Sequence, residues 1–217
     1  MEGSIRIAGT VGESIVDGPG FRYTLFTQGC PHHCPGCHNP QTHDFAGGRD
    51  MELEALLRDM CKNPLVKGVT FSGGEPFCQP EPLYRLAVEL KKKGKHLMAY
   101  SGYTFEELLG LPDPSVKKLL SQLDLLVDGR FIEAERNIEL RFRGSETSAC
   151  WMSPGRLQSK RRSGRSNTVN EENPPEKAGF GLTFRHRRCP QPLLVPASAA
   201  GRAHRRYAAC PCRGNAC

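Results

Sequence analysis

The sequence predicts an α/β fold built on a mostly parallel sheet, followed by a C-terminal tail that lies outside the fold. The fold is predicted because β-branched and aromatic runs alternate with segments of helical periodicity up to residue 146. Such alternation is typical of parallel strands covered by helices. The tail is predicted because periodicity stops after Glu146 and scattered Arg, Pro, Ser and Gly follow. In folds of this class, binding sites lie at the carboxyl ends of the strands.

The first two predicted strands flank one predicted helix. FRYTLFT (Phe21–Thr27) is aromatic and β-branched, and it runs into a cysteine-rich stretch. Asp50 is expected to cap a helix whose apolar side chains share one face, namely Leu53, Leu56, Leu57 and Met60. GVTFS (Gly68–Ser72) predicts a short buried strand that ends in two glycines, Gly73 and Gly74.

The alternation continues with two further helices and two further strands. Helical spacing recurs before Gly94 at the apolar positions Leu83, Leu86, Ala87 and Leu90. HLMAY (residues 96–100) predicts the third strand. Asp113 is expected to cap the next helix, with Pro114 at its first position and Val116, Leu119, Leu120 and Leu123 on its apolar face. DLLVDG (residues 124–129) predicts the fourth strand.

Charge is distributed unevenly along the chain. The formal net charge is +7, but residues 1–146 carry 17 Lys and Arg against 20 Asp and Glu, a net of −3, so residues 147–217 carry +10. Because the basic residues lie in the tail, we expect no nucleic-acid partner for the folded part. The chain has no apolar run of membrane-spanning length, and its first residues do not form a secretory signal. We therefore expect a cytoplasmic protein that does not contact a membrane.

Cys30, Cys34 and Cys37 form the pattern C-x3-C-x2-C within GCPHHCPGCHN. Disulfides are disfavoured in the cytosol, and covalent haem attachment through Cys34-Pro-Gly-Cys37-His38 requires export. A zinc ion held by the three thiolates and a nearby histidine is one remaining alternative. The other is an iron–sulfur cluster, since three thiolates on a four-iron cube leave one iron open to a substrate. Spacing alone leaves both alternatives open.

Five further motifs accompany the cysteines in a consistent order. DGPG (residues 17–20) precedes the first strand, SGGEP (72–76) follows the second, YSGY (100–103) follows the third, LLVDGRF (125–131) contains the fourth, and RFRGSE (141–146) closes the set. With these motifs, residues 5–146 resemble the radical S-adenosylmethionine (SAM) activating proteins of glycyl-radical enzymes. CPGC, SGY and RGSE favour the short activators of the anaerobic ribonucleoside-triphosphate reductase. Activators of pyruvate formate-lyase share VDGPG and C-x3-C-x2-CHN in a longer chain.

The resemblance implies a partial (βα) barrel of the radical SAM type as a domain of residues 1–146. Cys30, Cys34 and Cys37 would bind a [4Fe–4S] cluster. SAM would be bound by two stretches, at Gly36, Cys37, His38, Ser72, Gly73, Gly74 and Glu75. The paired glycines would let the backbone approach the ligand, and Glu75 would pair with its ammonium group. No side chain is required as a catalytic acid or base, because the cluster and SAM carry the chemistry.

The resemblance also implies the reaction and the partners. One electron from the reduced cluster would cleave SAM to methionine and a 5′-deoxyadenosyl radical, which would take a hydrogen atom from a glycine of the partner. The implied partner is the glycyl-radical subunit of anaerobic ribonucleoside-triphosphate reductase, with flavodoxin or ferredoxin as the class of electron donor. Another glycyl-radical enzyme, such as pyruvate formate-lyase, is an alternative target.

A binding module is the alternative from a different functional class. The basic tail would then be a nucleic-acid-binding arm on a small zinc- or cluster-containing protein. A second metal site would use four tail cysteines, Cys189, Cys210, Cys212 and Cys217. Their spacing matches no common zinc pattern, whereas the motifs of residues 17–146 occur together and in order. The enzyme is therefore the favoured interpretation.

The tail, residues 147–217, is predicted to be disordered and to be the translation of a shifted reading frame. In the family that the chain resembles, RGSE continues as Asn-Gln-Arg, two aliphatic residues and Asp, whereas here it is followed by TSACWM. With one A restored before Thr147, the codons of Cys150 and Trp151 together give Leu, and those of Trp151 and Met152 give Asp. The remaining codons are compatible with Asn-Gln-Arg and an aliphatic residue or Met. A genuine basic arm has no reason to encode this ending.

Sequencing the gene across Glu146 and Thr147 tests the frameshift. We expect the codons from Thr147 to Met152 to give Asn-Gln-Arg, an aliphatic residue or Met, Leu and Asp once a single A is added. An independent read that contains the additional A would assign the shift to a sequencing error, and an unchanged read would assign it to the allele. A Ser148 codon beginning with TC would give no Gln in that frame and would contradict the hypothesis.

Overall fold

One sheet of eight strands organises the described residues of the computed structural model, which are 1–140, 142–145, 148–152 and 185–186. In chain order the strands are β1 (Ser4–Ser14), β2 (Arg22–Thr27), β3 (Arg49–Glu52), β4 (Gly68–Gly73), β5 (His96–Tyr100), β6 (Leu125–Asp128), β7 (Ala149–Met152) and β8 (Arg185–His186). Across the sheet the order is β3-β1-β2-β4-β5-β6-β7-β8. Most of the tail for which disorder was predicted lies outside the described residues.

The four predicted strands form the centre of this sheet. The pairs β2–β4, β4–β5 and β5–β6 are parallel, whereas β1 pairs antiparallel with β2 and β3, and β7 pairs antiparallel with β6 and β8. The α/β class is confirmed. The described sheet is mixed, however, so the prediction of a mostly parallel sheet holds for its centre and is wrong for its edges.

Four helices connect or follow the central strands: α1 (Leu53–Lys62), α2 (Pro80–Lys92), α3 (Phe105–Gly110) and α4 (Pro114–Gln122). Asp113 caps α4 as predicted, because its Oδ1 accepts a hydrogen bond of 2.8 Å from the backbone N–H of Ser115. The predicted cap of α1 is wrong. Asp50 lies in β3 and accepts a hydrogen bond of 3.1 Å from Arg6, and Glu52 precedes the helix without a side-chain cap. No helix among the described residues is long and apolar enough to cross a membrane.

The main core lies on one face of the sheet, and a buried arginine lies at the amino ends of its central strands. One face packs on α1, α2 and α4 and forms the main apolar core, which includes Leu25, Phe71 and Leu86. Arg22 begins β2 and is fully buried, and its guanidinium donates to Thr70 Oγ1 and to the Val69 carbonyl at 2.7 Å each. Burial lowers the pKa of Arg22 to about 10. The amino ends of the central strands therefore surround a hydrogen-bonded cation.

The DGPG segment is tied to these amino ends. Thr70 Oγ1 donates a hydrogen bond of 2.7 Å to the backbone carbonyl of Asp17, and Arg22 donates one of 3.0 Å to the carbonyl of Pro19. A Cβ on Gly18, whose φ is +135°, would lie 2.7 Å from Met98 Sδ. The first glycine of the motif therefore permits close packing of this turn against the sheet.

Strand β7 extends the fold beyond Glu146, where the sequence predicted no strand. The backbone N–H of Ala149 donates to Asp128 Oδ1 at 3.1 Å, and Cys150 is buried. The ring of Trp151 stacks on Phe105, with 4.8 Å between the ring centroids. The expectation was wrong for these four residues because backbone pairing with an exposed strand edge requires no periodic sequence pattern.

Replacing Trp151 by Ala tests whether β7 contributes to stability. We expect the free energy of unfolding to fall by about 2 kcal/mol, because the variant loses the stacked aromatic pair and part of a buried surface. Urea denaturation of the full chain measures the change, and Trp151→Phe, which keeps a stacking ring, is the control. An unchanged midpoint for Trp151→Ala would instead support a tail without folded structure from Thr147 onward.

Candidate cofactor site

A cavity of about 570 Å³ lies at the carboxyl ends of the four parallel strands. Its volume falls within the range of roughly 300–1,000 Å³ that is usual for small-molecule sites. The loop after each parallel strand contributes to the wall: Cys30, Cys34 and Cys37 after β2, Gly74 and Glu75 after β4, Ser101 and Gly102 after β5, and Gly129 and Phe131 after β6. The cavity therefore lies at the end of the sheet where the βα alternation predicted a binding site.

The cysteine loop is held by backbone hydrogen bonds to a short 3-10 turn, Pro40–Thr42, and the residue after it. The N–H of Gly29 donates to the Thr42 carbonyl at 2.8 Å, and the N–H of Cys30 donates to the His43 carbonyl at 3.1 Å. Cys30 is buried, and burial raises the pKa of its thiol. Because thiolates are the metal-binding form, a bound metal centre has to replace the proton of this thiol.

The residues around the cavity fit an iron–sulfur cluster. Three free thiols, those of Cys30, Cys34 and Cys37, share one wall, which is the donor chemistry that such clusters require. His43 Nε2 is buried at the same cavity and has no hydrogen-bond partner within the described residues, which fits a ligand with acceptor atoms such as sulfides. In the described ranges, no three His, Cys, Asp or Glu side chains are grouped to hold a single metal ion.

The SGG turn after β4 is packed against the cysteine loop. The N–H of Gly74 donates to the Thr27 carbonyl, and the N–H of Glu75 donates to the Gly29 carbonyl, at 2.8 Å each. A Cβ on Gly74 would lie 2.4 Å from the Gly29 oxygen, and a Cβ on Gly73 would lie 2.6 Å from the Cα of Phe26. Glycine is therefore required here by the neighbouring backbone. The approach of a ligand to the same turn stays a prediction.

Glu75 lies at the centre of the site and is fully buried. Its Oε1 accepts hydrogen bonds from the backbone N–H of Phe77 and from Ser101 Oγ, at 3.0 Å each. Its Oε2 accepts one from the N–H of Gly102 at 2.8 Å and pairs with His32 Nε2 at 2.9 Å. Each carboxyl oxygen thus has two partners within the protein. Pairing of Glu75 with a ligand ammonium stays a prediction.

Sequence reasoning assigned no role to His32. The side chain is only 4% exposed, and its ring contacts Tyr103 edge to face at 4.5 Å between centroids. A Cβ on Gly102 would overlap the same ring. The spacing of the cysteine loop does not indicate these contacts of His32, because Gly102 and Tyr103 follow a different strand.

Of the remaining residues predicted to contact SAM, two line the cavity and one does not. Ser72 and His38 line the cavity, and the ring of His38 lies 5.0 Å from that of Phe131. Gly36 instead faces Glu133, whose carboxyl carbon would be 2.9 Å from a Cβ at Gly36. The positive φ of Gly36, +69°, explains why the turn between the second and third cysteines contains glycine.

Besides LLVDGRF, three quoted motifs reach the cavity, although no binding role was assigned to their residues. DGPG contributes Asp17, YSGY contributes Tyr100 and Ser101, and RFRGSE contributes Arg143 and Gly144. The order of the motifs along the chain indicated that they belong together. Only the folded structure shows that these residues line one cavity.

Comparison with known proteins agrees with this site. Residues 16–150 match the family model described as a 4Fe-4S single cluster domain. The chain is 35% identical over 139 residues to an anaerobic ribonucleoside-triphosphate reductase-activating protein of Vibrio cholerae, covering 60% of this chain and 87% of the relative. The protein of that name from Escherichia coli K12 is 31% identical over 140 residues, covering 60% and 88%. A pyruvate formate-lyase-activating enzyme of Clostridium pasteurianum is 41% identical over 113 residues, covering 48% of each chain.

Replacing Gly74 by Ala tests the packing of the SGG turn. The added Cβ would displace Gly29, which directly precedes Cys30, and overpacking of this kind costs about 1–3 kcal/mol. We expect the variant to retain less iron than the unmodified chain after anaerobic reconstitution. Gly110→Ala is the control, because a Cβ there meets nothing within 4 Å. Full iron content in Gly74→Ala would show that this contact does not position the cysteine loop.

Proposed function

This chain belongs to the 4Fe-4S single cluster domain family as a radical SAM activating enzyme, and on that basis we propose that it generates a glycyl radical on an anaerobic ribonucleoside-triphosphate reductase. The observation that carries the proposal is the meeting of three thiols and the SGGE turn at one cavity. The reaction then takes place at the mouth of a partial (βα) barrel, within the radical SAM domain predicted for residues 1–146.

Cys30, Cys34 and Cys37 would hold three irons of a [4Fe–4S] cluster and leave the fourth to the amino acid part of SAM. When bound, the cluster and SAM would supply the one-electron chemistry by which a glycine of the partner loses a hydrogen atom. The protein has to exclude water from such a reaction. Apolar side chains that line the cavity would serve this purpose, among them Phe26, Val127, Phe131 and Phe142.

The predicted SAM contacts divide into lining residues and supporting residues. Cys37, His38, Ser72, Gly73 and Gly74 line the cavity and are available to the ligand. Glu75 also lines it, but its carboxyl group is engaged by four protein donors, so we assign it the positioning of His32 and Gly102. Gly36 would shape the turn between two cluster ligands. The chain's residues thus bind and orient, and none is assigned to proton transfer.

The reductase is favoured over pyruvate formate-lyase as the target. The chain aligns with 87–88% of the length of the two reductase-activating proteins, and with 48% of the pyruvate formate-lyase-activating enzyme. An external donor of the flavodoxin or ferredoxin class would supply the electron.

Anaerobic reconstitution with iron and sulfide is the direct test of the proposed function. A cluster-containing protein absorbs visible light and bleaches on reduction with dithionite, and it should then cleave SAM. The glycyl radical is detected by electron paramagnetic resonance after addition of either an anaerobic reductase or pyruvate formate-lyase. A signal with the reductase alone supports the proposal, and a signal with pyruvate formate-lyase alone reassigns the target. A colourless protein that binds zinc and cleaves no SAM would contradict the proposed enzymatic activity.

Single Ala substitutions at Cys30, Cys34 and Cys37 test the cluster ligands. Each variant is expected to lose SAM cleavage to the level measured without protein, while its far-ultraviolet circular dichroism stays unchanged, because the loop lies at the rim of the sheet. Cys61→Ala is the matched control, since Cys61 packs against the main core at the end of α1. Full cleavage activity in all three variants would refute the assignment.

A further inference from the structure

Arg143 gives the cavity a positively charged group that the proposed function does not yet use. It is the one Lys or Arg among the described residues that line the cavity, and the acidic residues there are Asp17 and Glu75. It belongs to RFRGSE, the last motif of the chain's ordered series. An arginine presents its donors in a rigid planar fork that suits a carboxylate.

The guanidinium of Arg143 is partly anchored and partly unsatisfied. Its Nη1 donates a hydrogen bond of 2.8 Å to the Ser148 carbonyl, which fixes the direction of the group. Its Nε is buried and finds no acceptor among the described residues. Leaving such a donor unpaired is costly, and more so when the group is charged. A half-buried arginine whose buried Nε finds no acceptor among the described residues, at a cavity of ligand size, therefore indicates an anionic ligand group.

Arg143 lies on a segment that is close to the cysteine loop, so an anionic group bound by Arg143 would lie near that loop. A Cβ on the next residue, Gly144, would lie 3.6 Å from the ring of His38 and 2.9 Å from that of Phe131. His38 directly follows Cys37, the third of the proposed cluster ligands. The segment that carries Arg143 therefore closes the cavity beside the cysteine loop.

We propose that Arg143 binds the carboxylate of SAM. This inference rests on the proposed function, which makes SAM the ligand of the cavity. The carboxylate is the only anionic group of SAM, whose ammonium and sulfonium groups are cations that a guanidinium repels. A charge-assisted pair with Arg143 would therefore orient the amino acid end of SAM toward the cysteine loop and satisfy the buried donor. A carbonyl of the partner protein is the competing ligand for Arg143.

Binding measurements on the cluster-loaded full chain, without a partner protein, test the proposal. SAM is compared with decarboxylated SAM, which retains the sulfonium but lacks the carboxylate. Arg143→Gln is expected to weaken SAM binding roughly 10- to 100-fold, the equivalent of a charged hydrogen bond, while binding of decarboxylated SAM changes less than about twofold. Arg143→Lys, which keeps the charge without the fork, should lose less affinity for SAM than Arg143→Gln. Arg136→Gln is the control, because Arg136 is exposed on the same segment.

Each result decides between the proposal and its competitors, with iron content measured on every sample. Equal losses for SAM and decarboxylated SAM would overturn the proposal and assign Arg143 a structural role. Unchanged binding of SAM in both Arg143 variants, together with weaker glycyl-radical formation, would assign Arg143 to the partner protein. Failure of the unmodified chain to bind SAM would overturn the proposed function and this inference with it.

Discussion

The buried carboxyl group of Glu75 is the interaction on which the site depends. It accepts hydrogen bonds from the backbone after β5, from a serine there and from the turn after β4, and it pairs with His32 of the cysteine loop. Three segments that are distant in sequence are thereby fixed at one point. Because a buried polar group is costly unless its partners are present, this arrangement is satisfied only when all three segments are in place.

The cysteine loop is also held by the ladder between β2 and β4, which continues past the ends of both strands. The bonds from Gly74 to Thr27 and from Glu75 to Gly29 carry the pairing of the central sheet to the residue before Cys30. The sheet therefore fixes the position of Cys30, the first of the three cysteines, through the residue that precedes it. Rigid support of this kind is what a cofactor site requires to hold its ligands in one geometry.

The amino and carboxyl ends of the central strands differ in their chemistry. At the amino ends, Arg22 is buried and bonded to backbone carbonyls and to Thr70, under a turn that contains Pro19. At the carboxyl ends, a cavity is lined by thiols, by glycines and by His43 and Arg143, which each have a buried nitrogen without a partner among the described residues. The first end satisfies its polar groups internally, whereas the second leaves His43 and Arg143 with buried donors or acceptors that a ligand can meet. The fold is stabilised at one end and is ready to bind at the other.

The sequence by itself determined the central elements and the composition of the site. Local patterns were sufficient for β2, β4, β5, β6 and three of the helices, because hydrophobic periodicity and caps such as Asp113 act within a few residues. They also placed the cysteines and the SGG turn at strand ends. Only the tertiary structure decided what depends on contacts distant in sequence: the antiparallel edge strands, the pairing of His32 with Glu75, the backbone contact that requires Gly74, and the presence of Arg143 in the cavity. The pairing of His32 with Glu75 and the contact of Gly74 with Gly29 join residues 43 and 45 positions apart, and Arg143 belongs to the last of the motifs. No local pattern records which of these residues meet.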